Sequence, residues 1–234
     1  SSSEGCGGDK NDGECGMKIL GINCAGRWTN VGLAINGNII GERNLELGRR
    51  QSEELPLITA DLLDEARMTM SDLELLAVGV GPGYYTGIRA GIAYGAALAE
   101  ALLLPVVPLS SLEIFIWDLK DRYDCLVPVF KAKRTHCYAA VYDSRKGAAA
   151  VPPVFVSEDA LLQTLKGYPD AVIVSPDVAQ YGRLRESGCP VIERESASGG
   201  ACAQMGWIYA AKALSPREVQ AQYLREPDIG PTDR

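Results

Sequence analysis

The 234-residue sequence carries 23 Lys and Arg against 30 Asp and Glu, a formal net charge of -7. That balance argues against general affinity for nucleic acid, which needs a basic surface to neutralise phosphates, though it leaves room for RNA contact inside a larger assembly. Its 47% hydrophobic and 23% charged residues describe an ordinary globular protein with a core to bury, and its one histidine cannot supply an H-x-x-x-H or H-E-x-x-H metal motif.

Residues 1–16, SSSEGCGGDKNDGECG, offer almost nothing to bury and are expected to form a disordered leader, with Met17 a plausible true start. No basic segment followed by an apolar run opens the chain, so a signal peptide is not expected. "MKILGINCA" reads as a short apolar strand. "TNVGLAING" alternates and ends in Asn36-Gly37, the strongest short hairpin signal, and "NIIGERNLEL" returns as a third strand.

In "SEELPLITADLLDEARM", Leu55, Ile58, Leu62 and Ala66 recur at helical spacing. Ser52 is the expected N-cap, and Pro56 fits only near the first turn. "LELLAVGVG" is a continuous apolar run of strand length, expected at the centre of a sheet. A glycine turn, a helix over about 86–102 and a strand at "LPVVPL" follow. A meander feeding into β-α-β crossovers is the order of the ribonuclease H-like fold of actin-like ATPases.

Past Leu109 comes a second, reduced set of elements. "SSLEIFIWDLKDR" reads as a helix capped by Ser110 or Ser111. "DCLVPVFKA" and "HCYAAVYDS" read as strands joined by the basic turn Lys131–Arg134, and "GAAAVPP" as a loop. Strand "VFVS", helix "EDALLQTLKG", strand "AVIVSPD", a short helix, strand "CPVIERE" and a helix over 201–214 complete the set, before an irregular tail. The expected division is therefore 1–16, 17–108, 109–214 and 215–234. The most apolar region, near 90–107, is broken by Glu100 and Pro105 and reads as helix plus strand, not as a membrane span. Seven cysteines without a C-x-x-C pair read as reduced core thiols of a cytoplasmic protein.

The stretch "GVGPGYYTGIRAGIAYG" admits three readings. A glycine turn at a helix start can bind an anion through backbone N–H groups, here at Gly81, Gly83 and Thr86. Yet Pro82 removes one donor, no P-loop Lys follows, and Tyr84 and Tyr85 crowd the turn. A nucleophile elbow would need a hydroxyl or thiol between the glycines and a histidine base. Thr86 is the only hydroxyl near the helix start and reads as a cap, and His136 reads as a core or edge histidine. The third reading is packing. Gly87, Gly91 and Gly95 fall four apart and make one smooth helix face, bordered by Ile88 and Ile92. Each glycine costs about 1 kcal/mol against alanine in a helix interior, so close approach to a neighbour must offset it. That neighbour is either the chain's own fold or a helix of a second subunit.

Gly81-Pro82-Gly83-Tyr84-Tyr85-Thr86-Gly87-Ile88-Arg89 resembles the G-P-G-S-F-T-G-[IL]-R signature of the TsaB (YeaZ) family. "SEELPLI", "PVVPLSSLE", "VPVFKAKRTHCYAAVYD" and "YLREP" resemble further segments of that family, in order, over about 17–227. The resemblance implies two actin-like subdomains and a noncatalytic scaffold in forming threonylcarbamoyladenosine on tRNA. It implies pairing with a catalytic, metal-bearing paralogue, TsaD, docking of a small ATPase, TsaE, and homodimers built from helices of the first subdomain. Contact with tRNA would come only through the complex, with no membrane partner, no catalytic or metal-binding residue in this chain and no cofactor beyond weak nucleotide binding. The expected partner interface is Gly87, Ile88, Gly91, Ile92 and Gly95, with Leu62 from the preceding helix. An actin-like ATPase and a glycoprotease-like peptidase are the alternatives. The sequence departs from the family pattern at Asn23, where actin-like folds place Asp, at Tyr84-Tyr85, at Lys131–Lys133, where many members have Asp-Ala-Arg, and at Gln51, often His.

Overall fold

The computed structural model describes residues 16–224 apart from 134, 147, 148, 177, 178 and 180. The leader up to Cys15, Arg134 of the basic turn, and the tail from 225, including the end of "YLREP", lie outside the described residues.

Strands β1 (Lys18–Asn23), β2 (Trp28–Ile35) and β3 (Asn38–Glu46) form the expected antiparallel meander. Asn36 and Gly37 join β2 to β3 with φ of 50° and 78°, the left-handed pair that a two-residue hairpin matching strand twist requires. Helix α1 (Gln51–Glu65) leads to β4 (Leu75–Gly81), which runs parallel to β1. Helix α2 (Tyr85–Leu102) crosses over to β5 (Val106–Ser110), giving the sheet order β3-β2-β1-β4-β5. Every residue of β4 is buried, as its unbroken apolar run implied.

After the short helix α3 (Ser111–Ile116), the pattern repeats. Strands β6 (Cys125–Lys131), β7 (His136–Asp143) and β8 (Ala149–Ser157) form a second meander. Helix α4 (Glu158–Leu165), β9 (Ala171–Ser175), helix α5 (Gly182–Glu186) and β10 (Val191–Glu193) follow. The order β10-β9-β6-β7-β8 is that of the first sheet read from the other edge. Two mixed five-stranded sheets flanked by helices make the ribonuclease H-like, actin-like fold.

Burial follows these layers. Leu55, Ile58, Leu62 and Leu63 of α1 pack with Leu20, Ile22 and Val78 on the outer face of the first sheet. Leu161, Leu165 and Leu184 cover the outer face of the second. Between the sheets lie Leu112, Ile114 and Phe115 of α3, with Cys202, Ala203 and Met205 of the last helix, α6 (Gly199–Ile208). Helix α6 lies against β1 and β2 so closely that a side chain on Gly21 would collide with the Ala203 backbone.

Several local expectations change. "AAVPP" belongs to β8, not to a loop. Strand β8 is a sheet edge, where proline's missing N–H costs no ladder bond, and its register with β7 shifts between Val154 and Val151, around the two prolines. Helix α1 starts at Gln51, not after a Ser52 cap, because a 3-10 turn over Gly48–Arg50 runs into it. Pro56 sits inside α1 with its ring on the exposed side. Tyr84, not Thr86, is the N-cap of α2. The helix expected over 201–214 stops at Ile208 and continues as a 3-10 turn.

Candidate functional site

Helix α2 turns its glycine row inward. Gly87, Gly91 and Gly95 are buried, along with Ile88 and Ala99. A methyl carbon on Gly87 would collide with the Cys24 carbonyl oxygen, and one on Gly95 would lie 2.7 Å from Cγ2 of Val78. One on Gly91 would lie 3.4 Å from Cys24 Sγ, ordinary van der Waals contact. Of the two neighbours the spacing allowed, the chain's own sheet is the one in contact. Leu62 is buried in the same core, and Ile92 is half-buried beside it. The opposite face of α2 exposes Tyr85, Arg89, Ala93, Ala97, Glu100 and Ala101.

The turn before α2 is filled by the protein itself. The Gly81 N–H donates to Ser111 Oγ (3.1 Å), and the Tyr84 N–H donates to the Ala25 carbonyl (2.7 Å). Gly83 has a φ of 158°, and any side chain there would strike the Ala25 carbonyl oxygen. The peptide bond between Gly81 and Pro82 is cis. Of the three residues proposed for an anion-binding turn, only Thr86 is exposed to an open space.

That space is a groove of about 530 Å³ lined by Gly26, Arg27, Glu46, Arg49, Gln51 and Thr86, among others. Arg27 pairs with Glu46. Gln51, the first residue of α1, is 6% exposed, and a methyl on Gly87 would lie 3.0 Å from its Oε1. The groove therefore lies where the N-termini of α1 and α2 converge. The position of Gln51 stood out in the sequence only as a departure from a family pattern, and Arg27 and Arg49 had no signal of their own.

A second concavity lies between the two sheets, lined by Asn23, Trp28, Asn30, Phe115, Phe130, Lys131 and Ala197, among others. It is small, about 40 Å³. Asn23 ends β1 fully buried. Its Nδ2 donates to Asn30 Oδ1 (3.3 Å), while its own Oδ1 has no partner among the described residues. A side chain on Gly79 would collide with that oxygen. Asn30 in turn donates to Asn44 Oδ1 (2.9 Å), Ser196 Oγ (2.8 Å) and the Ala197 carbonyl (2.9 Å), tying β2 and β3 to the segment before α6. This network escaped sequence reading, because Asn30 and Ser196 are 166 positions apart.

His136 opens β7 and stacks on Phe155 at 5.0 Å, an aromatic contact at a sheet position. Cys24, Cys137 and Cys202 are buried, and burial pushes each thiol up to about 12, far from the thiolate range a nucleophile needs. Cys125 is buried as well, and Cys189 is half-buried.

Comparison with known proteins places the chain. The family model TsaD, tRNA N6-adenosine threonylcarbamoyltransferase, matches residues 45–199. The tRNA threonylcarbamoyladenosine biosynthesis protein TsaB of Bacillus subtilis (strain 168) is 29% identical over 131 residues, 56% of this chain and 57% of that protein. The chain thus spans little more than half the length of that relative. Protein Rv3421c of Mycobacterium tuberculosis (strain ATCC 25618 / H37Rv) is 34% identical over 195 residues, covering 82% of this chain and 83% of that one. The structure of YeaZ from Pseudomonas aeruginosa superposes with a TM-score of 0.76 at 19% identity, over 89% of this chain and 100% of that one, a likeness of fold. With more than half of its length matched by the threonylcarbamoyltransferase model, the chain belongs to the tRNA threonylcarbamoyladenosine biosynthesis family, on its TsaB (YeaZ) side.

Proposed function

We propose that this chain is a noncatalytic scaffold subunit in the formation of threonylcarbamoyladenosine on tRNA. It pairs with a TsaD-like catalytic paralogue, and a TsaE-like ATPase docks on the pair. Alone, it pairs with a second copy of itself. It works in the cytoplasm and meets tRNA only within the assembly. Among the described residues no helix is long and apolar enough to cross a membrane.

The observation that carries this reading is the division of labour on α2. Its glycine face is committed to the chain's own sheet, and its alanine face stands outward. Ala93, Ala97 and Ala101 present a smooth surface on which a second helix can lie close. On neighbouring α1, Leu57 is 61% exposed and supplies an apolar knob. The partner surface is therefore this outward face, with Ile92 at its edge. Gly87, Ile88, Gly91, Gly95 and Leu62 act behind it, by seating the helix. The halves 17–108 and 109–214 are the structural units of the scaffold. Support comes from each sheet drawing its strands from one stretch of chain, 18–110 and 125–193.

A nucleotide-hydrolysing role is less well supported. A cavity of about 40 Å³ between the sheets is far below the ~300 Å³ of a small ligand pocket. Asn23 places an amide where a metal-bound phosphate would call for a carboxylate. A peptidase would need metal ligands or a nucleophile with its base, and the single histidine is engaged with Phe155. The test is co-purification of the tagged chain with the histidine-rich paralogue of the same genome. Recovery of a stoichiometric pair is expected. Recovery of the chain alone, with both proteins folded, overturns the pairing.

A further inference from the structure

We propose that Arg194 and Lys120 form a latch that holds the cleft between the two sheets shut, by fastening together the two segments in which the chain passes from one sheet to the other. The inference concerns motion within the chain and does not depend on the partner reading.

Each sheet with its helices makes one lobe. Two lobes joined by a few crossings of the chain swing or slide about those crossings unless something holds them. Here there are two. The first crossing, 111–124, leads from β5 to β6 through α3 and the 3-10 turn Trp117–Leu119. The second, 194–198, leads from β10 to α6, which packs on the first sheet. Opening the cleft requires the crossings to move past one another.

Arg194 ties crossing to crossing. Its Nη1 donates to Asp118 Oδ1 (2.6 Å), its Nε donates to the Ser196 carbonyl (3.0 Å), and its guanidinium lies over the Phe115 ring at 5.3 Å. Asp118 and Phe115 belong to the first crossing, Ser196 to the second. A planar fork held at its edge and on its face has one orientation.

Lys120 ties the first crossing to both lobes. Its Nζ donates to Glu113 Oε1 (2.6 Å) and lies over the rings of Trp117 (4.3 Å) and Tyr142 (5.3 Å). Tyr142 stands on β7 of the second sheet, and its hydroxyl meets Ser110 Oγ (3.4 Å) at the end of β5 of the first. Glu113 Oε1 also accepts from the Tyr209 hydroxyl (2.9 Å), just past α6, and Trp117 Nε1 donates to Gln204 Oε1 (2.8 Å) on α6. Lys120 and Glu113 are half-buried, so water screens this network less than an exposed pair. The apolar side chains between the sheets resist separation, but their attraction has no direction and lets packed surfaces slide. The hydrogen bonds and ring contacts of the latch do have direction. The cleft they close is the cavity of about 40 Å³.

The chain carries its own reporters for the test. Cys24 is buried just after β1 in the first lobe, and Cys137 is buried on β7 in the second. Alkylation of each thiol across a urea series, mapped by mass spectrometry, reads the opening of its lobe. In the full wild-type chain the two midpoints are expected to coincide, and Gly95→Ala, a change in the first lobe, should lower both together. In the double variant Lys120→Met, Arg194→Met the midpoints should part by about 0.5 M urea or more, and Gly95→Ala should then move that of Cys24 alone. Asp118 is exposed, so Asp118→Asn folds even if the double variant does not, and it should part the midpoints in the same direction. Arg183→Met breaks an exposed pair with Asp159 inside the second lobe and should leave them together. Midpoints already apart in the wild type, coincident midpoints in the latch variants, or equal parting by Arg183→Met and Asp118→Asn overturn the latch.

Discussion

Gly87 and Cys24 meet backbone to backbone. The first turn of α2 sits so close to the end of β1 that even a methyl group on Gly87 would strike the Cys24 carbonyl oxygen. One helical turn on, Gly91 faces the Cys24 side chain at an ordinary distance, and two turns on, Gly95 presses against Val78. Three identical residues at one spacing are therefore under unequal constraint.

That inequality is measurable by urea unfolding. Gly87→Ala and Gly95→Ala should each lower stability by about 1–3 kcal/mol, the usual cost of overpacking. Gly91→Ala should be neutral or stabilising by up to ~1 kcal/mol, because alanine is the better helix former and its methyl has room. Equal losses at all three positions would mean that the row does not pack as described.

How far the fold was legible follows from the kind of signal each element carries. The hairpin at Asn36-Gly37 and the buried run of β4 are local features, and both were readable. The row of glycines on α2 was also readable, but not its partner, since periodicity defines a face without saying what lies opposite. The end of β8, "VFVS", was readable as a strand, but its first half was missed because Pro152 and Pro153 look like a loop until the strand is known to be an edge. The Asn30 network and the groove at Gln51 bring together residues far apart in the chain, and no spacing rule reaches them.

Asn30 offers a second measurement. The two N–H groups of one amide face three acceptors, one on β3 and two in the segment before α6. Asn30→Leu leaves buried polar atoms unsatisfied and should cost about 1–3 kcal/mol in unfolding free energy. Hydrogen exchange should quicken at residues 197–201 more than at the distant second sheet. Unchanged protection there would show that the network does not hold the last helix in place.

The thiols give a pH dependence with a definite sign. Cys24, Cys137 and Cys202 are held at about 12 in the fold, against 9.0 when free, with burial the main cause. Burial also raises Tyr142. The unfolded chain therefore releases protons that the folded chain keeps. Stability should be complete below pH 9.0 and fall as pH rises from there towards about 12. The midpoint of urea unfolding at a series of alkaline pH values checks this. Native alkylation mapped by mass spectrometry should label Cys189 well before Cys24, Cys125, Cys137 or Cys202.

The outward face of α2 can be tested without disturbing the core. Ala97→Arg places a long cation on an exposed position. Light scattering should show loss of self-association with the melting temperature unchanged. Retention of the same mass would move the partner surface elsewhere.

The most direct measurement is reconstitution of tRNA threonylcarbamoylation from purified components, with this chain present, absent or carrying Ala97→Arg. Product is expected only when the chain accompanies the histidine-rich paralogue and the ATPase, with none from the chain alone and little from the variant. Full product in its absence, or product from this chain by itself, would contradict a scaffold that works through its partner.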